Sequence, residues 1–173
     1  LDLVRQALDA TEIPARTFHP THVNRQKVLF EEAIELAGQG CTVDVTAFEV
    51  GDEGYNVEDA IELWWDRKCP PAHLTVSSDG GGCLPEFDAH GHMTAMDVGK
   101  PISVFHALLQ LLQRGHAPEQ VLPFFTANAA DLLRLSFKGR IRAGKDADLV
   151  ILDASFQVSD VMAGGQWMMQ EKV

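Results

Sequence analysis

Between Ala15 and Gln113 the hydrophobic period switches repeatedly from short β-branched runs to amphipathic helical ones and back. Apolar Leu3, Val4, Ala7 and Leu8 space as a helix, Pro14 interrupts them, and "ARTFHPTHV" then reads as a short extended segment. "QKVLFEEAIELAGQG" places Val28, Leu29, Ala33, Ile34 and Leu36 on one helical face, with Gly38 and Gly40 as its stop. "CTVDVTAF" is a buried strand, "VEDAIELWWDRK" a helix, and "AHLTVSSD" a strand that runs into a glycine-rich turn. Strands alternating with helices imply a parallel sheet with helical crossovers, so the fold class is α/β.

Asp97 to Arg114 reads as one long helix with Pro101 in its first turn, followed by two shorter helices, "PEQVLPFF" and "TANAADLLRL". After Gly139 the texture changes. "GRIRAGKDADLVILD" and "FQVSDVMAGGQWMMQ" are β-rich and turn-separated, with no helix between them. Two domains are expected, a partial α/β unit over 1–138 and a partial small β domain over 139–173.

The formal charge of −11, with 14 scattered Lys and Arg, lacks the basic stripe that binding a phosphate backbone requires, so no nucleic-acid partner is expected. No apolar run approaches the roughly 20 residues that span a bilayer, and the N-terminus has no signal-like segment, so a cytoplasmic protein that does not enter membranes is expected. Cys41, Cys69 and Cys83 form no CxxC pair and are expected as reduced thiols. The chain opens on Leu1 inside a helical pattern, which reads as a cut rather than a beginning.

Parallel α/β architectures collect functional groups where strands end, and His22 and Asp79 both sit at such ends. In an extended segment His19 and His22 point to opposite faces, so only one can serve a given ion. His22, nearer the end, is the candidate, and His19 keeps a packing or surface role. Imidazole and carboxylate suit zinc. Taken by itself, the pair reads first as a surface or core His and a helix-capping Asp. Arg25 is either a solvated charge or a fork for a substrate carboxylate. The three glycines of "SSDGGGCLP" leave bare backbone where something approaches closely, or else form a plain surface turn. "DAHGHMTAM" holds an HxH pair, His90 and His92, but its Asp, Gly and Thr neighbours read as an exposed loop linking a turn to a helix.

Taken together, "PTHVNR", "LTVSSDGGGCLPEFD", "TANAADLLRL" and "GRIRAGKDADLVILD" resemble the isoaspartyl dipeptidase (beta-aspartyl peptidase) family of the amidohydrolase superfamily. The resemblance implies a TIM-type (β/α)8 barrel with a small β domain and two zinc ions. Their ligands in that family are an HxH pair, a bridging carboxylated Lys, two further His and an Asp. His22 matches the strand-six His, Asp79 the strand-eight Asp that is both metal ligand and catalytic proton carrier, and Arg25 the Arg that holds a substrate carboxylate. Cys83 stands where the family has a substrate-contacting Ser, and a thiol donates weakly.

By this likeness the chain keeps strands six to eight of the barrel and part of the small domain, as a C-terminal fragment. The implied activity is metallopeptidase hydrolysis of isoaspartyl dipeptides, with the fragment inactive alone and zinc weakly held or absent. A homo-oligomer or a complementing N-terminal part is expected to cover the unpaired sheet edges. The alternative readings are a cyclic-amide amidohydrolase related to dihydropyrimidinase or dihydroorotase, and a non-catalytic amidohydrolase remnant.

Overall fold

The computed structural model describes residues 1–48 and 52–170, and the chain forms two compact units, Leu1–Phe125 and Thr126–Val173. The last three residues of the expected small domain, 171–173, lie outside the described residues. The second unit begins with a helix, ahead of the change of texture at Gly139.

In the first unit the helices are α1 (Asp2–Ala10), α2 (Lys27–Gly38), α3 (Val57–Asp66), α4 (Ile102–Gln113) and α5 (Pro118–Phe125). The strands are β1 (Val43–Thr46), β2 (Leu74–Ser77), β3 (Cys83–Phe87) and β4 (Met93–Val98). β1 and β2 pair in parallel, joined through α3, which is the expected α/β unit with a helical crossover. Side chains alternate across a strand. Val43, Val45, Leu74 and Val76 enter the hydrophobic core, where Phe30 and Ala33 of α2, Ile61 and Trp64 of α3, Leu111 of α4 and Phe124 of α5 meet them. Val28, expected on the buried face of α2, is 72% exposed, because that face runs instead through Phe30, Ala33, Leu36 and Ala37.

The sequence reading differs from the structure in two further places. "ARTFHPTHV" forms no regular strand. A 3-10 turn occupies Ala15–Thr17, and the segment touches β1 through the backbone bond from Asp44 N–H to Pro20 C=O at 2.9 Å. Pro20 has no N–H to return, so the ladder cannot propagate past it. The expected long helix from Asp97 starts only at Ile102, because Met93–Val98 pairs antiparallel with Cys83–Phe87. "DAHGH" is therefore the tip of a hairpin and not a link to a helix. Asp88 Oδ1 caps that tip by accepting from the backbone N–H groups of His90 and His92 at 2.8 and 2.9 Å.

The second unit holds α6 (Ala127–Leu132) and a three-stranded antiparallel sheet of β5 (Leu149–Leu152), β6 (Val158–Ala163) and β7 (Gln166–Met169). Among the described residues no helix is long and apolar enough to cross a membrane.

Candidate functional site

The face of the parallel pair turned away from the apolar core is polar. Asp44 and Thr46 project from β1, and their register partners Thr75 and Ser77 project from β2. Asp44 is buried, 3% exposed, and its carboxylate gathers three hydroxyls: Ser77 Oγ donates to Oδ2 at 2.6 Å, Thr75 Oγ1 to Oδ1 at 2.8 Å and Thr46 Oγ1 to Oδ2 at 3.4 Å. Burial pushes the Asp44 carboxyl above its usual 3.8, and the hydroxyls and His19 only partly offset that rise. His19 is half-buried and reaches Thr75 Oγ1 through Nε2 at 3.1 Å, and burial holds its pKa below the usual 6.5.

The sign of the Asp44 shift sets an expectation for stability. The folded state binds the Asp44 proton more tightly than the unfolded chain does, so stability is lost as pH rises from 3.8 through the folded pKa. At neutral pH the buried charge is a cost. Asp44→Asn is therefore expected to raise the melting temperature at pH 7, with the gain shrinking as pH falls through the folded pKa and vanishing below 3.8, where the native Asp is protonated in both states. A melting temperature for Asp44→Asn below that of the native chain at pH 7 would contradict this.

Above this polar face sit His22 and Asp79, both in the left-handed backbone region, with φ of 58° and 48°. Non-glycine residues are uncommon there, and such strain persists where the surroundings over-determine it. His22 opens the 3-10 turn Val23–Arg25, and its carbonyl accepts from Arg25 N–H at 3.1 Å. Asn24, inside that turn, is fully buried. Its Nδ2 donates to Thr46 C=O at 3.0 Å and to Tyr55 C=O at 2.9 Å, while its Oδ1 accepts from Thr46 N–H at 2.8 Å. The turn is thus tied to the end of β1.

Asp79 follows β2 in a turn where Gly82 N–H donates to Asp79 C=O at 2.8 Å. Two glycines clear its space. A Cβ on Gly82 would lie 2.5 Å from Asp79 Oδ2, and one on Gly99 would lie 2.2 Å from Asp79 O.

These constraints bring His22 Nε2 to 3.8 Å from Asp79 Oδ2, while His22 Nδ1 lies 2.9 Å from Thr46 Oγ1. Zinc bonds imidazole nitrogen at ~2.0–2.1 Å and carboxylate oxygen at ~2.0–2.2 Å. One ion can therefore touch both atoms without either residue moving apart, and the donor types fit zinc. Among the described residues no group of three or more His, Cys, Asp or Glu side chains converges on a metal position, so His22 and Asp79 contribute a pair. The exposed His90 and His92, with ring centroids 6.3 Å apart, belong to no such group.

Beside the pair, Arg25 and Cys83 line a common cleft of about 570 Å³, along with Phe48, Leu84 and Lys100. The Arg25 guanidinium stacks over the Phe48 ring at 5.4 Å, and the same ring lies 6.1 Å from that of His22. Among the described residues no carboxylate pairs with Arg25. The cleft thus presents the Arg25 guanidinium, a thiol and an aromatic wall, with Glu86 and the Lys100–Asp97 ion pair also on its lining.

The structure thus brings His22 and Asp79 together and sets Arg25 and Cys83 on one cleft. His19 diverges from them towards Thr75. Sequence reading passed over Asp44, Thr46, Asn24 and Phe48. The signal for the first two is the period-2 polar alternation inside "VDVT" and "LTVS", which marks a second, polar face on strands that are buried.

A model of the amidohydrolase family matches residues 12–168. Among solved structures, a beta-aspartyl dipeptidase of the thermophilic, keratin-degrading Fervidobacterium islandicum AW-1, in complex with beta-Asp-Leu dipeptide, is 35% identical, with a TM-score of 0.89. The match covers 99% of this chain and 44% of that one. A second structure of a beta-aspartyl dipeptidase from that organism is 30% identical with a TM-score of 0.82, over 99% of this chain and 43% of its own. An N-acetyl-D-glucosamine-6-phosphate deacetylase mutant of Mycobacterium smegmatis is similar in fold alone, at 21% identity and TM-score 0.61, over 98% of this chain and 49% of its own. The chain thus spans less than half the length of each of these solved relatives.

Proposed function

Because the chain belongs to the amidohydrolase family, we propose that it is the C-terminal share of a zinc-dependent isoaspartyl dipeptidase. In this reading β1 and β2 are strands seven and eight of a (β/α)8 barrel, and the segment around Pro20 takes the place of strand six. The supporting observation is the approach of His22 Nε2 and Asp79 Oδ2 to 3.8 Å beside a cleft lined by Arg25 and Cys83. The 35% identity to a dipeptidase solved with beta-Asp-Leu supports the substrate class.

His22 and Asp79 would hold zinc, which when bound supplies a Lewis acid and lowers the pKa of water to about 7. Asp79 takes the proton from the attacking water and passes it to the leaving amine as the isopeptide bond breaks. Arg25, backed by Phe48, receives a substrate carboxylate with a planar fork of donors. Cys83 touches substrate only through a weak donor, so binding leans on Arg25.

Two ligands fall short of the three or four that hold zinc tightly. The 173-residue chain alone is expected to bind zinc weakly and to leave beta-Asp-Leu intact. With a polypeptide that supplies the remaining ligands, beta-Asp-Leu is expected to be hydrolysed and alpha-Asp-Leu spared. Within that assembly Asp79→Asn is expected to lower kcat by about 10²–10⁴. Enzyme-like turnover by the isolated chain, or an assembly that opens cyclic amides and ignores isoaspartyl bonds, would overturn the reading. A complementing polypeptide or self-association is also part of this proposal, because among the described residues β1 and β2 form a parallel sheet of two strands.

A further inference from the structure

The histidines of "FHPTHV" lie on different sides of one buried carboxylate. Thr75 Oγ1 stands between His19 Nε2, at 3.1 Å, and Asp44 Oδ1, at 2.8 Å. Thr46 Oγ1 stands between His22 Nδ1, at 2.9 Å, and Asp44 Oδ2, at 3.4 Å. Ser77 completes the set at 2.6 Å, a separation in the range of a hydroxyl donating to an ionised carboxylate.

A threonine hydroxyl has one proton. Asp44, ionised, can only accept, so each threonine that donates to it has no proton left for an imidazole. The imidazole must then be the donor. We propose that Asp44 is a positioning residue that, through Thr46 and Thr75, fixes the two histidines as opposite neutral tautomers, His22 protonated on Nδ1 and His19 on Nε2.

For His19 this closes a half-buried polar contact. For His22 it leaves the Nε2 lone pair bare and facing Asp79 Oδ2, two acceptors at 3.8 Å with no proton to share. That arrangement is satisfied by a cation. The buried carboxylate is kept, despite its cost to folding, because it prepares the ligand atom in advance. Only this last consequence rests on the zinc reading above; the tautomers rest on the hydrogen bonds together with an ionised Asp44.

Long-range proton–nitrogen correlation spectra of the metal-free full chain, recorded above the histidine titration, test the assignment. His19→Gln and His22→Gln identify the two rings among the seven histidines. The expected pattern is mirror-image. For His22, Nδ1 falls in the protonated range and Nε2 in the lone-pair range, and for His19 the reverse holds. Asp44→Asn is expected to move both rings towards the averaged pattern of a free imidazole. Thr46→Val is expected to move His22 alone, and Thr46→Ser to restore it. A native His22 protonated on Nε2, or rings that do not respond to Asp44→Asn, would overturn the proposal, and the native spectrum decides even where a variant fails to fold. Zinc titration separates the two readings. With the polypeptide that supplies the remaining ligands present, the expected tautomers without zinc binding would sink the metal assignment and leave this one standing, whereas zinc binding by a His22 protonated on Nε2 before zinc is added would do the opposite.

Discussion

Asn24→Ala is expected to destabilise the chain by about 3–5 kcal/mol, because it strands the buried Thr46 N–H at roughly 1–3 kcal/mol and removes a bond of roughly 0.5–1.5 kcal/mol each from Tyr55 C=O and from Thr46 C=O, which keeps Phe48 N–H as a donor. At this chain length ~1 kcal/mol moves the melting temperature by about 2–4 °C, so the loss is roughly 10 °C or more. Asn24→Asp is expected to fare little better, since it would set a carboxylate oxygen against one of the carbonyls that Nδ2 now serves. The damage extends to the site. Asn24 pins the turn that begins at His22 and ends at Arg25, so the loss of its bonds frees both side chains together. Thermal unfolding followed by circular dichroism measures the first effect. A melting temperature within a degree or two of the native value would mean that the turn is held by something other than Asn24.

Gly99→Ala and Gly82→Ala are expected to separate stability from site geometry. The added Cβ at 99 meets fixed backbone, Asp79 O at 2.2 Å, its carbonyl carbon at 2.9 Å and Ser78 O at 3.1 Å. No rotamer relieves that contact. Overpacking of this kind costs about 1–3 kcal/mol and occasionally more. The Cβ at 82 meets the Asp79 carboxylate, at 2.5 Å from Oδ2 and 2.6 Å from Cγ, and a side chain can swing aside. Gly82→Ala is therefore expected to keep most of the melting temperature while drawing Asp79 away from His22, which under the proposed zinc reading would cost about 10–100-fold in the zinc affinity of the complemented assembly. Equal thermal losses in the two variants, with zinc affinity unchanged in both, would show that neither glycine is kept for Asp79.

Much of the fold was legible because local patterns and tertiary packing agree. The helical periods of α2, α3 and α5 and the β-branched runs of β1 and β2 each satisfy one apolar core, so reading them in isolation led to the right elements. The hairpin of β3 and β4 was not legible. Its strands are almost wholly exposed, and "MTAMDV" carries apolar residues that continue without a break into the pattern of α4. The strand expected through Pro20 does not form for a local reason already present in the sequence, the missing N–H of proline.

By itself the sequence determined the α/β class, the family likeness, and the pair His22 and Asp79 as candidates, because residue types and turn glycines are local properties. Only the tertiary structure decided that the two side chains meet. That convergence depends on two left-handed residues, on the buried amide of Asn24 and on the absence of a Cβ at positions 82 and 99. Two of these constraints, the Asn24 amide on Thr46 and the space at Gly99 beside Asp79, act between segments far apart in the chain. The same holds for Asp44, which as a letter within an apolar strand looks like an interruption. Its place beneath both histidines exists only once β1 and β2 lie side by side in register, because a hydrogen-bond network is a property of distances in space and not of spacing along the chain.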